Sequence, residues 1–329
     1  MKKVRWGIAG PGRIANKFAQ AIKNVEYAEL VAVASLFEEE AESFAQKYSI
    51  PYVFCGYEKM ANFEGVDVVY VSTPPHLHKD VAEIFLNSGK HVLCEKPICI
   101  NAAQAIRLKE CADQNNVFLM EAMWTKFLPA IKEAYSIVKS GQIGEVLSIS
   151  ADFSSYIGGE RATRRVFQNE FAGGALLDIG VYGLHLINLI MGSSPECISP
   201  VAQVENGVDV HTHTLMKYEN GAIASVSCSF ELDKLRSAYI YGTKGYIRIP
   251  CFYGATELYL HIDGEEKHIV LPSIGDGFEE EIYEVCNCIL AGKTESDIHP
   301  ISASIEVLKQ CDAIRRQIGI RYPLEGEDV

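Results

Sequence analysis

The chain lacks a basic surplus. Its 329 residues carry 30 Lys and Arg against 43 Asp and Glu, a net charge of −13. That excludes a general nucleic-acid binder, which needs a basic face, and it disfavours docking on anionic lipid. It lacks a C-x-x-C pair as well. Its ten cysteines stand at 55, 94, 99, 111, 197, 228, 251, 286, 288 and 311, mostly inside apolar segments. They read as reduced, buried thiols of a cytoplasmic protein. No run reads as an uninterrupted membrane span. "MKKVRWGIAG" is too short and glycine-broken for a signal peptide and reads as a first strand. Internal repeats and low-complexity tracts are lacking too. What is present is ordinary for a soluble enzyme: 48% hydrophobic and 22% charged residues. The length exceeds what one core usually serves, so two domains are expected.

The first, residues 1–122, alternates short apolar strands with helices. "KVRWGIA", "AELVAVAS", "VDVVYVS", "HVLC" and "VFLM" are strand-like, with helical spacing between them. Strands buried on both faces and separated by helices imply α/β architecture with a doubly wound parallel sheet. The second domain, 123–329, opens with a helix near 127–140, a strand, "EVLSISADFS", and a long helix near 174–191. Strands follow in succession at 198–205, 208–218, 221–230, 236–242, 245–249, 256–262 and 266–271. Turns at Asn206-Gly207, Asn220-Gly221, Lys244-Gly245 and Asp263-Gly264 join them. This predicts an α+β domain with a large, mainly antiparallel sheet, closed by helices near 277–291 and 301–318.

Four stretches carry chemistry. "GIAGPGRIANKF" fits G-x-G-x-x-A directly after the first strand. Gly10 permits the tight turn, Gly12 lets backbone approach a pyrophosphate, and Ala15 lets helix pack on strand. Gly7, Arg13 and Ile14 flank that turn, whose helix N-terminus suits phosphate. The second strand ends Ser35-Leu36-Phe37, where neither the Asp nor the Arg that would read a ribose stands. Glu38, Glu39 and Glu40 would repel a 2′-phosphate if they faced it; equally, they favour a helix N-terminus as first-turn acids. NAD and NADP both stay open.

"STPPHLHKD" follows the third long strand, placing Thr73, Pro74, His76 and His78 at the cofactor crevice. His76 and His78 have no third metal ligand nearby, and neither have His211 and His213, so no metal is expected. "CEKP" follows the next strand and brings Glu95 and Lys96 to the same crevice. A lysine there can lower an alcohol's pKa or hold its hydroxyl. In "AGGALLDIGVYGLHLINLI", Asp178, Tyr182 and His185 fall at i, i+4 and i+7 of one helix. Polar groups on such an apolar helix are either paired in the core or used.

Together, "GIAGPGRIA", "STPPHLHK", "CEKP" and "GGALLDIGVYGL" resemble the glucose-fructose oxidoreductase / inositol dehydrogenase / MocA (Gfo/Idh/MocA) family over nearly the whole chain. "FLMEAMWTKFLPA" is most similar to the dimeric dihydrodiol dehydrogenase and D-xylose dehydrogenase branch. The resemblance implies a cytoplasmic NAD(P)-dependent dehydrogenase of a sugar or cyclic diol. Catalysis would rest on Lys96, Asp178 and Tyr182, where many members carry a histidine in place of the tyrosine. Substrate contacts would come from Asp178, Trp124 and an arginine among Arg161, Arg164 and Arg165. Trp124 as core and the arginines as a solvated loop are equally open. The resemblance also implies a homodimer through the C-terminal sheet. Two positions depart from the pattern: Leu36 replaces a usual Arg, and Pro75 a usual Asn. A nicotinamide-dependent glycosidase and a non-catalytic sensor are the rival readings.

Overall fold

The computed structural model describes residues 3–160 and 164–325. It divides into two compact units, Met1–Trp124 with Ile274–Ile305, and Thr125–Ser273 with Glu306–Val329.

In the first unit, six strands form one parallel sheet: β1 (Val4–Ala9), β2 (Ala28–Ser35), β3 (Tyr52–Cys55), β4 (Val68–Val71), β5 (His91–Glu95) and β6 (Leu119–Ala122). Their order is β3-β2-β1-β4-β5-β6. The order reverses between β1 and β4, the point where open α/β sheets bind ligands at the carboxyl ends of their strands. Helices α1 (Arg13–Ala21), α2 (Glu38–Tyr48), α3 (Tyr57–Ala61), α4 (His78–Asn87) and α5 (Ala102–Asn115) connect them. Each amphipathic helix spends its apolar stripe on the sheet. Phe18 of α1 stacks on Tyr70 of β4 with ring centroids 3.8 Å apart, and Trp6 of β1 tilts against Phe18. Fully burying one such side chain contributes about 2–3 kcal/mol. Asn101 starts α5 by accepting a hydrogen bond from the Gln104 N–H. The short edge strand β3 and helix α3 show no period in sequence. Tyr52 and Val53 are substantially exposed at the sheet edge.

The return of 274–305 to this unit differs from the expected single second domain of 123–329. The cause is the apolar face of the helix Phe278–Leu290. Phe278 stacks on Trp124, and Asn24 donates to Glu279 Oε1 at 2.8 Å. Tyr283 Oη donates to the Asn24 carbonyl.

The second unit holds helix α6 (Pro129–Lys139) and strand β7 (Val146–Ser154). Helix α7 (Val181–Met191) follows, entered through one wide π-type turn at Leu176–Gly180. Seven further strands complete the sheet: β8 (Cys197–Glu205), β9 (Val208–Lys217), β10 (Ile223–Ser229), β11 (Ala238–Gly242), β12 (Gly245–Ile249), β13 (Glu257–Ile262) and β14 (Glu265–Val270). The order is β14-β13-β12-β11-β7-β10-β9-β8, and only β7 with β10 runs parallel. So β7 inserts centrally, between strands that follow it in sequence. The stretch Asn169–Met191 is long and apolar enough in composition to cross a membrane, but most of it is buried in the protein. A Cβ on Gly183 would stand 3.2 Å from Val226 and 3.3 Å from Ala151, so the missing side chain lets α7 lie close on β10 and β7. All ten cysteines are free thiols.

Candidate active site

The cofactor cleft grows from the β1–α1 turn. Gly10 has φ +91°, and a Cβ there would lie 2.9 Å from the Thr73 backbone nitrogen. Only glycine lets the two loops close on each other. Ser72 holds them together, donating from Oγ to the Gly10 carbonyl at 2.8 Å. Gly12 is different: a Cβ there would meet nothing within 4 Å. It leaves the N-terminus of α1 uncovered, with no side-chain cap. Unspent N–H groups at that helix end suit a phosphate.

A cleft of about 610 Å³ opens here, bounded by Gly10, Gly12, Ser35, Leu36, Thr73 and Pro74. Glu40, Lys47 and Tyr57 also line it, and the sequence did not single out the last two. Asp or Glu near the end of β2 is the usual signal, and Glu40 stands five residues beyond it. The residues present therefore fit a dinucleotide. Gly7 packs instead against Met60 beneath the strand, and Arg13 opens α1 in solvent next to half-buried Ile14.

His78 opens α4, directly after the turn that follows β4. It is fully buried, with Nε2 at 2.7 Å from the Thr73 carbonyl and Nδ1 at 2.8 Å from the Pro97 carbonyl. Both ring nitrogens face main chain, so it ties the β4 loop to the lysine loop. His76, two residues earlier, is half-buried in a short helical turn.

Lys96 itself sits where β5 ends, half-buried. Side chains hold the main chain of its loop at three points, His78 at the Pro97 carbonyl being one. Glu95 accepts from the Lys96 N–H at 3.1 Å, and Glu121 of β6 accepts from the Ile98 N–H at 2.9 Å. Glu95 also accepts from the Tyr70 hydroxyl. Burial pushes the Glu95 carboxyl up, while the Tyr70 bond and the Lys96 charge pull it down. Tyr70, buried beside that carboxylate, is pushed well up, and so is Glu281, fully buried with Glu95 as its charged neighbour. The arrangement presents one ammonium from a rigid acidic bed.

In the second unit, Asp178 lies inside the wide turn before α7 and Tyr182 in the first turn of α7 proper. The i, i+4, i+7 stripe of a regular helix is thus interrupted; such π-type turns recur at functional sites. Tyr182 is 8% exposed and packs against Phe153 at 5.4 Å and Tyr253 at 6.0 Å. His185 is buried deeper. Gly174 explains the turn's start: its φ is +121°, and a Cβ there would overlap Asp209 Oδ1 at 2.3 Å. Asp209, missed in sequence because nothing marks it out in a strand that also carries His211 and His213, accepts from the Leu176 N–H at 2.8 Å.

Arg165 is half-buried in a short helical turn whose backbone packs on Gly173, and Arg164 is exposed. Arg161 lies outside the described residues. Trp124 stacks on Phe278 at 5.3 Å.

Comparison with known proteins meets this geometry at both ends. Residues 4–123 match the "Oxidoreductase family, NAD-binding Rossmann fold" model, and 131–248 the "GFO/IDH/MocA C-terminal domain" model. The chain belongs to the Gfo/Idh/MocA oxidoreductase family. It is an NAD(P)-dependent dehydrogenase with a Rossmann domain. Trans-1,2-dihydrobenzene-1,2-diol dehydrogenase of Mus musculus is 34% identical to it, over 97% of this chain and 98% of that protein. The Homo sapiens enzyme of the same name is also 34% identical over the same shares. Among solved structures, a 3-ketoreductase from Actinomadura kijaniata with NADP and TDP-benzene superposes with a TM-score of 0.87 at 26% identity, covering 96% of this chain and 98% of that one. A levoglucosan dehydrogenase, TM-score 0.89 at 19% identity over 97% and 98%, shares the fold.

Proposed function

We propose that this family member oxidises a secondary hydroxyl of a cyclic trans-diol, with a pyranose sugar such as D-xylose as the nearest competitor. The observation carrying the choice is full-length similarity to dihydrodiol dehydrogenases, at 34% identity over 97% of the chain. Bound NAD(P) supplies the hydride acceptor. The chain's own part is proton management and orientation. Tyr182 takes the hydroxyl proton as the carbon gives up its hydride, so an alcohol becomes a ketone and no charge is left unmatched. Lys96 supplies positive charge, which favours the developing alkoxide. Asp178 accepts from a substrate hydroxyl. Trp124 and Arg165 are the candidates for the remaining substrate contacts. Initial rates of nicotinamide reduction, read by absorbance, test the choice. The expected kcat/KM for trans-1,2-dihydrobenzene-1,2-diol exceeds that for D-xylose by about tenfold or more. A preference for xylose of similar size would move the assignment to sugars.

We further infer a homodimer through the face of the large sheet opposite α7. Supporting it, a cross-strand row runs Ser199, Leu215, Ser225, Ser150, Tyr239, Arg248, Tyr259, by the register of the seven strands. Exposed Leu215, Val201 and Ile223 lie on that same alternate set of positions. A broad surface mixing tyrosine, small polar and apolar side chains suits a partner. Light scattering on the purified chain is expected to give twice the chain mass, and Ser225→Arg the single mass. A single mass for the unsubstituted protein at micromolar concentration would refute the dimer.

A further inference from the structure

The glycine turn accounts for a dinucleotide but not for which one. NAD presents a ribose 2′-hydroxyl that wants an acceptor. NADP presents a 2′-phosphate that wants donors and positive charge. The cleft answers at the end of β2. Ser35 Oγ donates to Glu40 Oε2 at 3.0 Å and accepts from the Phe37 N–H at 3.2 Å. A serine hydroxyl has one proton, and here it is committed to a carboxylate rather than left for a phosphate.

Three acids occupy the first turn of α2, Glu38, Glu39 and Glu40. The helix dipole favours all three, so it does not explain why one folds back onto Ser35. Glu40 alone of the three lines the cleft. Tyr57, on the same wall, feels that charge: burial first and Glu40 next push its phenol up. Leu36, following Ser35, is 57% exposed and has no donor to offer. The cation of this wall, Lys47, is two turns further along α2. Its ammonium donates to Asn16 Oδ1 at 2.6 Å, and the Asn16 amide donates to the Gly12 carbonyl at 2.8 Å. Lys47 is thus tethered to the pyrophosphate end, where both cofactors are alike.

We propose that Glu40 is the cofactor-specificity residue: it accepts from the adenosine ribose of NAD and repels the 2′-phosphate of NADP. The inference rests on the reading of this cleft as the dinucleotide site. It assigns to the first turn of a helix the task that an acid at the strand end performs in other Rossmann domains.

Isothermal titration with NAD and with NADP tests it without any turnover. The protein as it stands is expected to bind NAD about thirtyfold more tightly, the size of effect that one like-charge clash supplies. Glu40→Gln is expected to bring the two affinities within about threefold of each other, mainly by improving NADP. Glu39→Gln, altering a neighbouring acid off the cleft, is expected to leave the ratio unchanged. Equal affinity for both cofactors in the unsubstituted protein overturns the assignment while the cleft reading stands. So does an unchanged ratio in Glu40→Gln. Binding of neither cofactor overturns the cleft reading and this inference together. If Glu40→Gln misfolds by circular dichroism, the ratio in the unsubstituted protein decides alone.

Discussion

Lys96→Ala is expected to lower kcat by about 10²–10⁴-fold while leaving cofactor affinity within about threefold, the range that positioned proton transfer contributes. The separation follows from how the loop is built. Glu95 holds the Lys96 N–H, Glu121 the Ile98 N–H and His78 the Pro97 carbonyl. None of these three bonds uses the ammonium, so all three donor–acceptor pairs remain when it is lost. The cleft residues Gly10, Ser35 and Thr73 are equally untouched. Tyr182→Phe is expected to behave in parallel, because its ring packs on Phe153 and Tyr253 while only the hydroxyl is lost. Single-turnover rates beside cofactor titrations check both. If Lys96→Ala turned over at the unsubstituted rate, the proton-transfer scheme would fall, whatever the substrate. If it lost cofactor binding as well, the lysine would be a cofactor anchor instead.

Much of this geometry is legible before folding. The Gly10-x-Gly12 turn works through backbone conformation, and backbone demands leave marks in sequence: glycine where φ is positive, small residues where helix meets strand. The parallel sheet is legible for the same reason, since strands such as Val68–Val71 are buried on both faces and carry unbroken β-branched and aromatic runs. Direction is what period analysis does not carry. Glu38, Glu39 and Glu40 are one acidic triplet until folding turns the third toward Ser35. Helical spacing likewise places Asp178 and Tyr182 on one stripe, but the wide turn at Leu176–Gly180 shifts one against the other. The helix Phe278–Leu290 has a plain apolar face, and nothing in that face names the sheet it joins. His78 looks like a polar loop residue because its two carbonyl partners, Thr73 and Pro97, offer main chain, which has no residue identity.

Substituting Asp209 is expected to change how the stability of the fold depends on pH. It lies in β9, fully buried, and accepts from the Leu176 N–H and from Thr212 Oγ1, both at 2.8 Å. The bond from Leu176 fastens the strand to the turn that carries Asp178, and the bond from Thr212, within β9, holds the carboxyl in place. Burial nonetheless dominates and pushes its carboxyl from 3.8 up to about 6, against the two bonds and the charge of Arg315. A raised acid fixes the sign. Between pH 4 and 6 the native state keeps a proton that the unfolded chain has released. Stability therefore falls as pH rises through that window and levels off above it. A shift of that size is worth about 3 kcal/mol. Asp209→Asn keeps a carbonyl for Leu176 and never ionises. Its stability relative to the unsubstituted protein is expected to rise by up to that amount between pH 4 and 7. Asp209→Ala strands the Leu176 N–H and is expected to lose about 1–3 kcal/mol near pH 4, where Asp209 is least charged, and less at pH 7, where it also removes a buried charge. Urea unfolding at a series of pH values measures both. Parallel curves for the Asn variant and the unsubstituted protein would mean that Asp209 ionises as easily folded as unfolded. The bonds from Leu176 and Thr212 and the charge of Arg315 would then offset the whole cost of burying the carboxylate.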